Sequence, residues 1–350
     1  MEGSQVIYDF VSSAIESGGW MKTDRAYLQN KLTDMTGVVV SSNNVNQVSN
    51  MTAEELCQIL VDMAKDNKAN EYQTEEDIDQ LKQSIMELLT PPPSVVNAMF
   101  AKKFDRSPLE ATNYLYWLNQ INGYLSGGKE TSYGIEFDAP MHGKCPLCFE
   151  NEGTYEPGSA FLKKTRRFIR LNLNNDSWGY QLSPLEKDKE VGLFFPEEHT
   201  TLFMINLLID QMVQLVDLYT HYEIHYSQFN YFYGHSFLVG KRVNKDRQIL
   251  CEYTLPFFRE SKFAYDMEQA NDVVIQTNRP QDIWLMINYI FSLTVSHKRG
   301  LYTMDFDYYL SKTETDYQMI VSIHDNASNK SKDNWLFTLE LLKNELEVRY

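Results

Sequence analysis

No stretch of this 350-residue chain runs through the roughly 18 apolar residues that a membrane-crossing helix requires. The opening residues, MEGSQVIYDF, carry neither a basic segment nor an apolar signal core, so the expected location is cytoplasmic. Cysteine is scarce: there are four, too few for a disulfide framework. Positive charge is also short, with 32 Lys and Arg against 48 Asp and Glu, a net charge of −16. Nucleic acid or an anionic membrane would demand a basic surface, so neither partner is expected. Familiar chemical signatures are missing too. The chain has no G-x-S-x-G, Walker A loop, G-x-G-x-x-G or H-E-x-x-H, so serine-hydrolase, P-loop, Rossmann and zincin chemistries lack support. The acidic runs Glu75-Glu76-Asp77 and Glu197-Glu198 stand at expected helix starts, where they complement the helix dipole rather than pair for acid–base work.

What is present suits a folded α+β protein: 43% hydrophobic residues and 13% aromatics, with 22 Tyr and 19 Phe. Residues 1–128 read as helical. The apolar positions Val6, Ile7, Phe10, Val11, Ala14 and Ile15 share one face of a first helix that stops at Gly18-Gly19. Thr52 and Glu55 stand in capping-box register for a second helix. Thr74 opens a third, which Pro91–Ser94 is expected to end, and Ser107-Pro108 starts another, broken by Gly127-Gly128.

The period then changes. Arg166–Asn174 alternates as a strand and Val191–Phe195 is a short apolar run. Thr200–Tyr219 is apolar nearly all round, a long buried helix packed on a sheet. Strand-like pieces follow, and then the pattern recurs: DVVIQT as strand, DIWLMINYIFSLTVSH as helix, a hairpin, the polar loop ASNKSKDN and a last amphipathic stretch. Two passes of strands and helix imply a duplicated α+β unit with a mainly antiparallel sheet, divided as 129–260 and 261–350.

The sharpest local signal is GKCPLCFENEGTY. Cys145 and Cys148 are spaced as C-x-x-C, which grips one side of a tetrahedral zinc ion or, without a metal, is a reduced structural pair. A thioredoxin-type redox role fits poorly, because a polar loop follows instead of a helix. His199, in PEEHTT, is the best third ligand by sequence, and His142 lies nearest for a fourth, with water as the alternative. His221 and His225, four apart at an expected helix end, read as ordinary surface or core histidines, and Cys57 and Cys251 as buried thiols. The basic run Lys163, Lys164, Arg166 and Arg167 is either an anion site for a sugar phosphate or a solvated edge.

Together, CPLCFENEG, RRFIRLNLNNDSWGYQLSP and EEHT resemble the type-2 galactose-1-phosphate uridylyltransferases of bacteria, as does PPPSVVNAMFAKKFDRSPLEATNYLYWL. The likeness covers most of residues 1–240 and fades beyond. It implies a duplicated histidine-triad-like fold, transfer of a uridylyl group between a hexose 1-phosphate and a UDP-sugar, and a histidine nucleophile in an H-x-H-x-Q motif. It also implies a structural zinc, for which Cys145, Cys148 and His199 match three ligands and leave the set incomplete. The departures fall at the chemistry. Gly240 takes the place of the first histidine, Arg242 that of the nucleophile and Asn244 that of the glutamine. SAFLK (Ser159–Lys163) stands for the family's N-H-P-A-R, and the segment from Tyr124 to Cys145 is shortened. The expectation is a non-catalytic pseudoenzyme that binds a protein partner, scaffolds, or senses a UDP-sugar or sugar phosphate, with room for a homodimer. The alternative is an active nucleotidyltransferase whose nucleophile has moved to His235.

Overall fold

The computed structural model describes residues 2–40, 50–125, 145–185, 190–199, 205–227, 235, 238–242, 253–254, 261–266, 272–296, 306–324 and 327–347. The chain divides into two compact units. One is Met1–Tyr133 with Gly143–Arg170 and Tyr180–Glu190; the other is Gly134–His142 with Leu171–Gly179 and Val191–Tyr350.

Among the described residues the first unit begins with six α-helices: α1 (Gly3–Glu16), α2 (Arg25–Thr36), α3 (Ala53–Asn67), α4 (Glu75–Glu87), α5 (Pro93–Phe104) and α6 (Pro108–Ile121). The first four share a core in which Val6, Ile7, Phe10, Leu28, Leu32, Leu56, Leu60, Leu81 and Ile85 are buried. The capping boxes form as their sequence demands. The Glu55 N–H donates to the Thr52 hydroxyl at 3.3 Å, the Thr52 N–H donates to the Glu55 carboxylate at 2.7 Å, and Thr74 and Asp77 repeat the exchange. Helix α2 gives little signal in the sequence because it buries only Leu28, Leu32 and Thr36, a single narrow row. Pro91–Ser94 does not end the third helix, which closes earlier at Glu87; Pro93 instead opens α5, where its missing N–H would have had no partner. Helix α6 also ends before the expected break, and Gly127-Gly128 lies outside the described residues.

The strands are β1 (Ile169–Leu173), β2 (Asp176–Leu182), β3 (Val191–Pro196), β4 (Tyr222–Ser227), β5 (Leu238–Arg242), β6 (Tyr253–Thr254), β7 (Ser261–Asp266), β8 (Asp272–Thr277), β9 (Phe306–Lys312) and β10 (Tyr317–Ile323). Among the described residues they form one sheet in the order β1-β2-β3-β5-β4-β9-β10-β8-β7-β6, and β1 and β2 contribute residues to both units. Every strand pair with an assigned register is antiparallel. The turn between β1 and β2 uses Asn174 and Asn175, both at positive φ (53° and 68°), the conformation that a two-residue hairpin requires and asparagine tolerates.

The sheet order is a palindrome. Helices α7 (Ile205–Leu218) and α8 (Pro280–Ser296) follow β3 and β8, so the run β1-β2-β3-α7-β4-β5 is repeated as β6-β7-β8-α8-β9-β10. The two runs meet where β4 pairs with β9, Ile224 opposite Leu310 and Tyr226 opposite Tyr308. This topology sets the join between Arg242 and Tyr253, since β6 pairs with β7 of the second run. The expected duplication and the helix packed on the sheet are therefore both present. Helix α7 lies against β4 and β9, and Thr200–Met204 falls outside the described residues. Two local expectations change. His221 sits in the turn before β4 and His225 on that strand, so they are not a helical pair, and the polar run at 327–334 mostly forms the first turns of α9 (Asn329–Glu347).

Side chains on alternate positions of β4 and β9 (Tyr222, Ile224, Tyr308, Leu310) are fully buried. Gly240 of β5, paired with Ile224 and with Gly192 of β3, lies among them. A Cβ at position 240 would stand 2.6 Å from the Tyr222 ring and 2.8 Å from the Phe194 ring. Both rings are held in the core, so neither yields cheaply. Gly240→Ala is expected to lower stability by about 1–3 kcal/mol, the usual cost of overpacking. Urea unfolding followed by circular dichroism checks this; an unchanged midpoint would contradict the packing described.

Candidate metal centre

The C-x-x-C forms a turn in which the Cys148 N–H donates to the Cys145 carbonyl at 3.2 Å, followed by a 3-10 turn over Phe149–Asn151. The residues that follow pin this turn in place. The Asn151 amide donates back to the Cys145 carbonyl at 2.8 Å. Glu152 accepts the Phe168 N–H at 3.0 Å with one oxygen and Arg170 Nη2 at 2.9 Å with the other. The Phe149 ring lies 4.5 Å from that of Phe168. Gly153 turns at φ +73°, a conformation that favours glycine. The run F-E-N-E-G is thus a set of anchors that dock the turn on residues 166–170.

Both cysteines are buried and neither is in a disulfide. Burial raises both thiols. Cys148 is pushed up to about 12, by burial first and then by the neighbouring Cys145. At neutral pH they therefore stay protonated unless a cation displaces the protons.

His199 follows β3, and His235 lies before β5, fully buried, with the two ring centroids 4.9 Å apart. His235 Nε2 is 2.6 Å from the Pro196 carbonyl. A carbonyl only accepts, so Nε2 carries the proton and Nδ1 keeps the lone pair. A histidine that binds metal through one nitrogen commonly donates the other to a carbonyl in this way.

Cys145, Cys148, His199 and His235 form a group whose ligand atoms all lie within 4.8 Å of one another. A tetrahedral zinc ion with Zn–S of about 2.3 Å and Zn–N of about 2.0–2.1 Å needs donor separations of about 3.3–3.8 Å. Two sulfurs and two imidazoles at this spacing fit such an ion. The donor set is complete, where the sequence left it one ligand short. The fourth member is His235, offered by the sequence only as a displaced nucleophile; His142, the expected neighbour, lies outside the described residues. The buried contact with Pro196 depends on strand pairing, which nothing in the local sequence announces.

At the positions aligned with the histidine motif, Gly240 has no room for a side chain and Arg242 closes β5 opposite Tyr222. Asn244 lies outside the described residues. His221 is lowered to about 4, by burial first and then by the positive charge of Arg242. The basic run has an environment unlike either a solvated edge or an open anion cradle. Lys163, Arg166 and Arg167 are buried. Lys163 Nζ donates to the Gly123 and Tyr124 carbonyls at 3.3 and 3.0 Å, and Arg167 to those of Pro91, Lys164 and Arg166 at 3.0, 2.9 and 2.7 Å. Lys164 Nζ donates to the Ser84 hydroxyl at 2.8 Å.

The sequence of this mixed α+β chain is similar to those of bacterial galactose-1-phosphate uridylyltransferases. The chain is 27% identical over 256 residues to the galactose-1-phosphate uridylyltransferase of Enterococcus faecalis, covering 63% of this chain and 50% of the relative. It is 27% identical over 253 residues to that of Staphylococcus carnosus (62% and 50%) and 29% identical over 244 residues to that of Streptococcus mutans (61% and 49%). These matches support its membership in the galactose-1-phosphate uridylyltransferase family. The matched region spans about half the length of each relative. No family model and no solved structure matches the chain.

Protein purified without chelators is expected to carry about one zinc per chain by elemental analysis, falling well below that in Cys148→Ser and in His235→Ala. Full occupancy in His235→Ala would remove His235 from the ligand set. A second expectation concerns acid stability. Because the imidazole of His221 is held below its ordinary value of 6.5, the unfolded chain binds a proton there that the folded chain refuses. The stability due to neutral His221 is full above pH 6.5 and is lost as pH falls towards 4. His221→Gln should therefore lose less stability than wild type between those values in urea titrations; parallel losses would contradict the shift.

Proposed function

We propose that this chain is a degenerate uridylyltransferase-family scaffold: it keeps a structural zinc at Cys145, Cys148, His199 and His235, and it has lost the group-transfer chemistry. The observation that carries the reading is the pair of positions aligned with the catalytic motif. Gly240 stands where a Cβ would strike Tyr222 and Phe194, and Arg242 takes the nucleophile's place. Uridylyl transfer through a covalent intermediate requires a nitrogen lone pair that attacks phosphorus at neutral pH. A guanidinium stays protonated and can hold a phosphate but not attack it. His235, the nearest substitute, has one ring nitrogen on the Pro196 carbonyl and belongs to the metal group, which leaves no lone pair for phosphorus.

In this reading the protein works by binding. It engages a protein partner, or it senses a UDP-sugar or sugar phosphate on a fold that no longer turns it over. The fitting assay is exchange of label between UDP-glucose and glucose 1-phosphate, together with a search for a uridylylated protein. No exchange and no adduct are expected from wild type or from Arg242→His, in which Gly240 remains unchanged. Exchange by wild type that disappears in His235→Ala would establish a displaced nucleophile instead. A thermal-shift panel of UDP, UMP, UDP-sugars and hexose 1-phosphates separates sensing from scaffolding, since a ligand at 100 times its Kd adds about 2.7 kcal/mol.

A further inference from the structure

Arg166 is fully buried, and only part of its guanidinium is satisfied. Nε donates to Gln181 Oε1 at 2.8 Å, and the group lies 5.5 Å over the Phe168 ring. Nη1 and Nη2 are buried with no hydrogen-bond partner. A buried cation with idle donors is strongly unfavourable, so the fold keeps this one against a substantial penalty. Its electrostatic neighbours are Tyr124, Glu152, Cys145 and Cys148. Glu152 is committed to the Phe168 N–H and Arg170, and the Tyr124 hydroxyl accepts from Gln181. The sulfurs of Cys145 and Cys148 stand among these neighbours, and neither is in a disulfide. Phe149 and Glu152 dock the cysteine turn on the segment that carries Arg166, and Asn151 closes the turn on the Cys145 carbonyl.

A thiol accepts hydrogen bonds weakly, whereas a metal-bound thiolate keeps negative charge and accepts them well. We infer that the two terminal nitrogens of Arg166 hydrogen-bond the Cys145 and Cys148 thiolates in the metal-loaded protein, which makes Arg166 the positioning residue that orients these ligands and tunes their charge. The inference rests on the metal reading above. It also gives a role to a guanidinium that is fully buried, where a sugar phosphate would need an exposed one.

Cobalt(II) in place of zinc reports on the sulfurs directly through the sulfur-to-cobalt charge-transfer band. An N–H donor lowers the energy of the sulfur lone pair, so removing it moves the band to longer wavelength. Arg166→Met, which keeps most of the volume, should show that shift and bind cobalt about 10–100-fold more weakly in chelator competition, the usual loss when a ligand's partner is removed. Arg166→Lys, which restores one donor, should fall between. If Arg166→Met does not fold, Gln181→Leu, which releases Nε and loosens the guanidinium, should move the band the same way by less. An unmoved band and unchanged affinity in the folded variant would overturn the role of Arg166. Wild-type protein that binds no cobalt would overturn the metal reading itself.

Discussion

Strand β5 passes so close to the Tyr222 and Phe194 rings that position 240 has no space for even a methyl group, and the site follows from that approach. The resemblance to the uridylyltransferases implies one strand that supplies both a metal-binding and a nucleophilic histidine from neighbouring positions. Here the first of those positions is filled by the aromatic core of the sheet. A histidine before the strand, His235, stands with Cys145, Cys148 and His199 instead. The position two residues on carries Arg242, whose charge bears on His221. In the function proposed above, holding a metal and transferring a nucleotide draw on different residues, so one can persist without the other.

The metal group depends in turn on how the cysteine turn is held. Asn151 closes the turn, Glu152 and Phe149 fix it to residues 166–170, and Arg166 and Arg167 of that segment reach Gln181 and main-chain carbonyls. A cluster of cations buried in an acidic protein looks wasteful from composition alone. Most of its donors close carbonyls that loops leave open, an obligation of any buried backbone, and Arg166 has donors left for the sulfurs.

Much of the fold was legible because its periods are strong. The stripe of α1, the capping boxes of α3 and α4 and the alternation of β8 each depend on neighbours within a few residues. The misses have equally local causes. Helix α2 buries too narrow a row to stand out, and the prolines at 91–93 can close one helix or open the next. Strand β4, beginning just after a long apolar helix, made His221 and His225 look helical. At the site, the sequence yielded Cys145, Cys148 and His199, since a local motif and a following strand mark them. His235 was legible only as a displaced nucleophile, because what brings it beside Pro196 and His199 is the antiparallel pairing of β3 with β5.

The account stands on the donor exchange between positions 240 and 235, and zinc K-edge X-ray absorption of the purified protein reads that exchange most directly. Two sulfur neighbours at about 2.3 Å and two nitrogen neighbours at about 2.0–2.1 Å are expected in wild type, with one nitrogen lost in His235→Ala. Two sulfurs with a spectrum that His235→Ala leaves unchanged would contradict it.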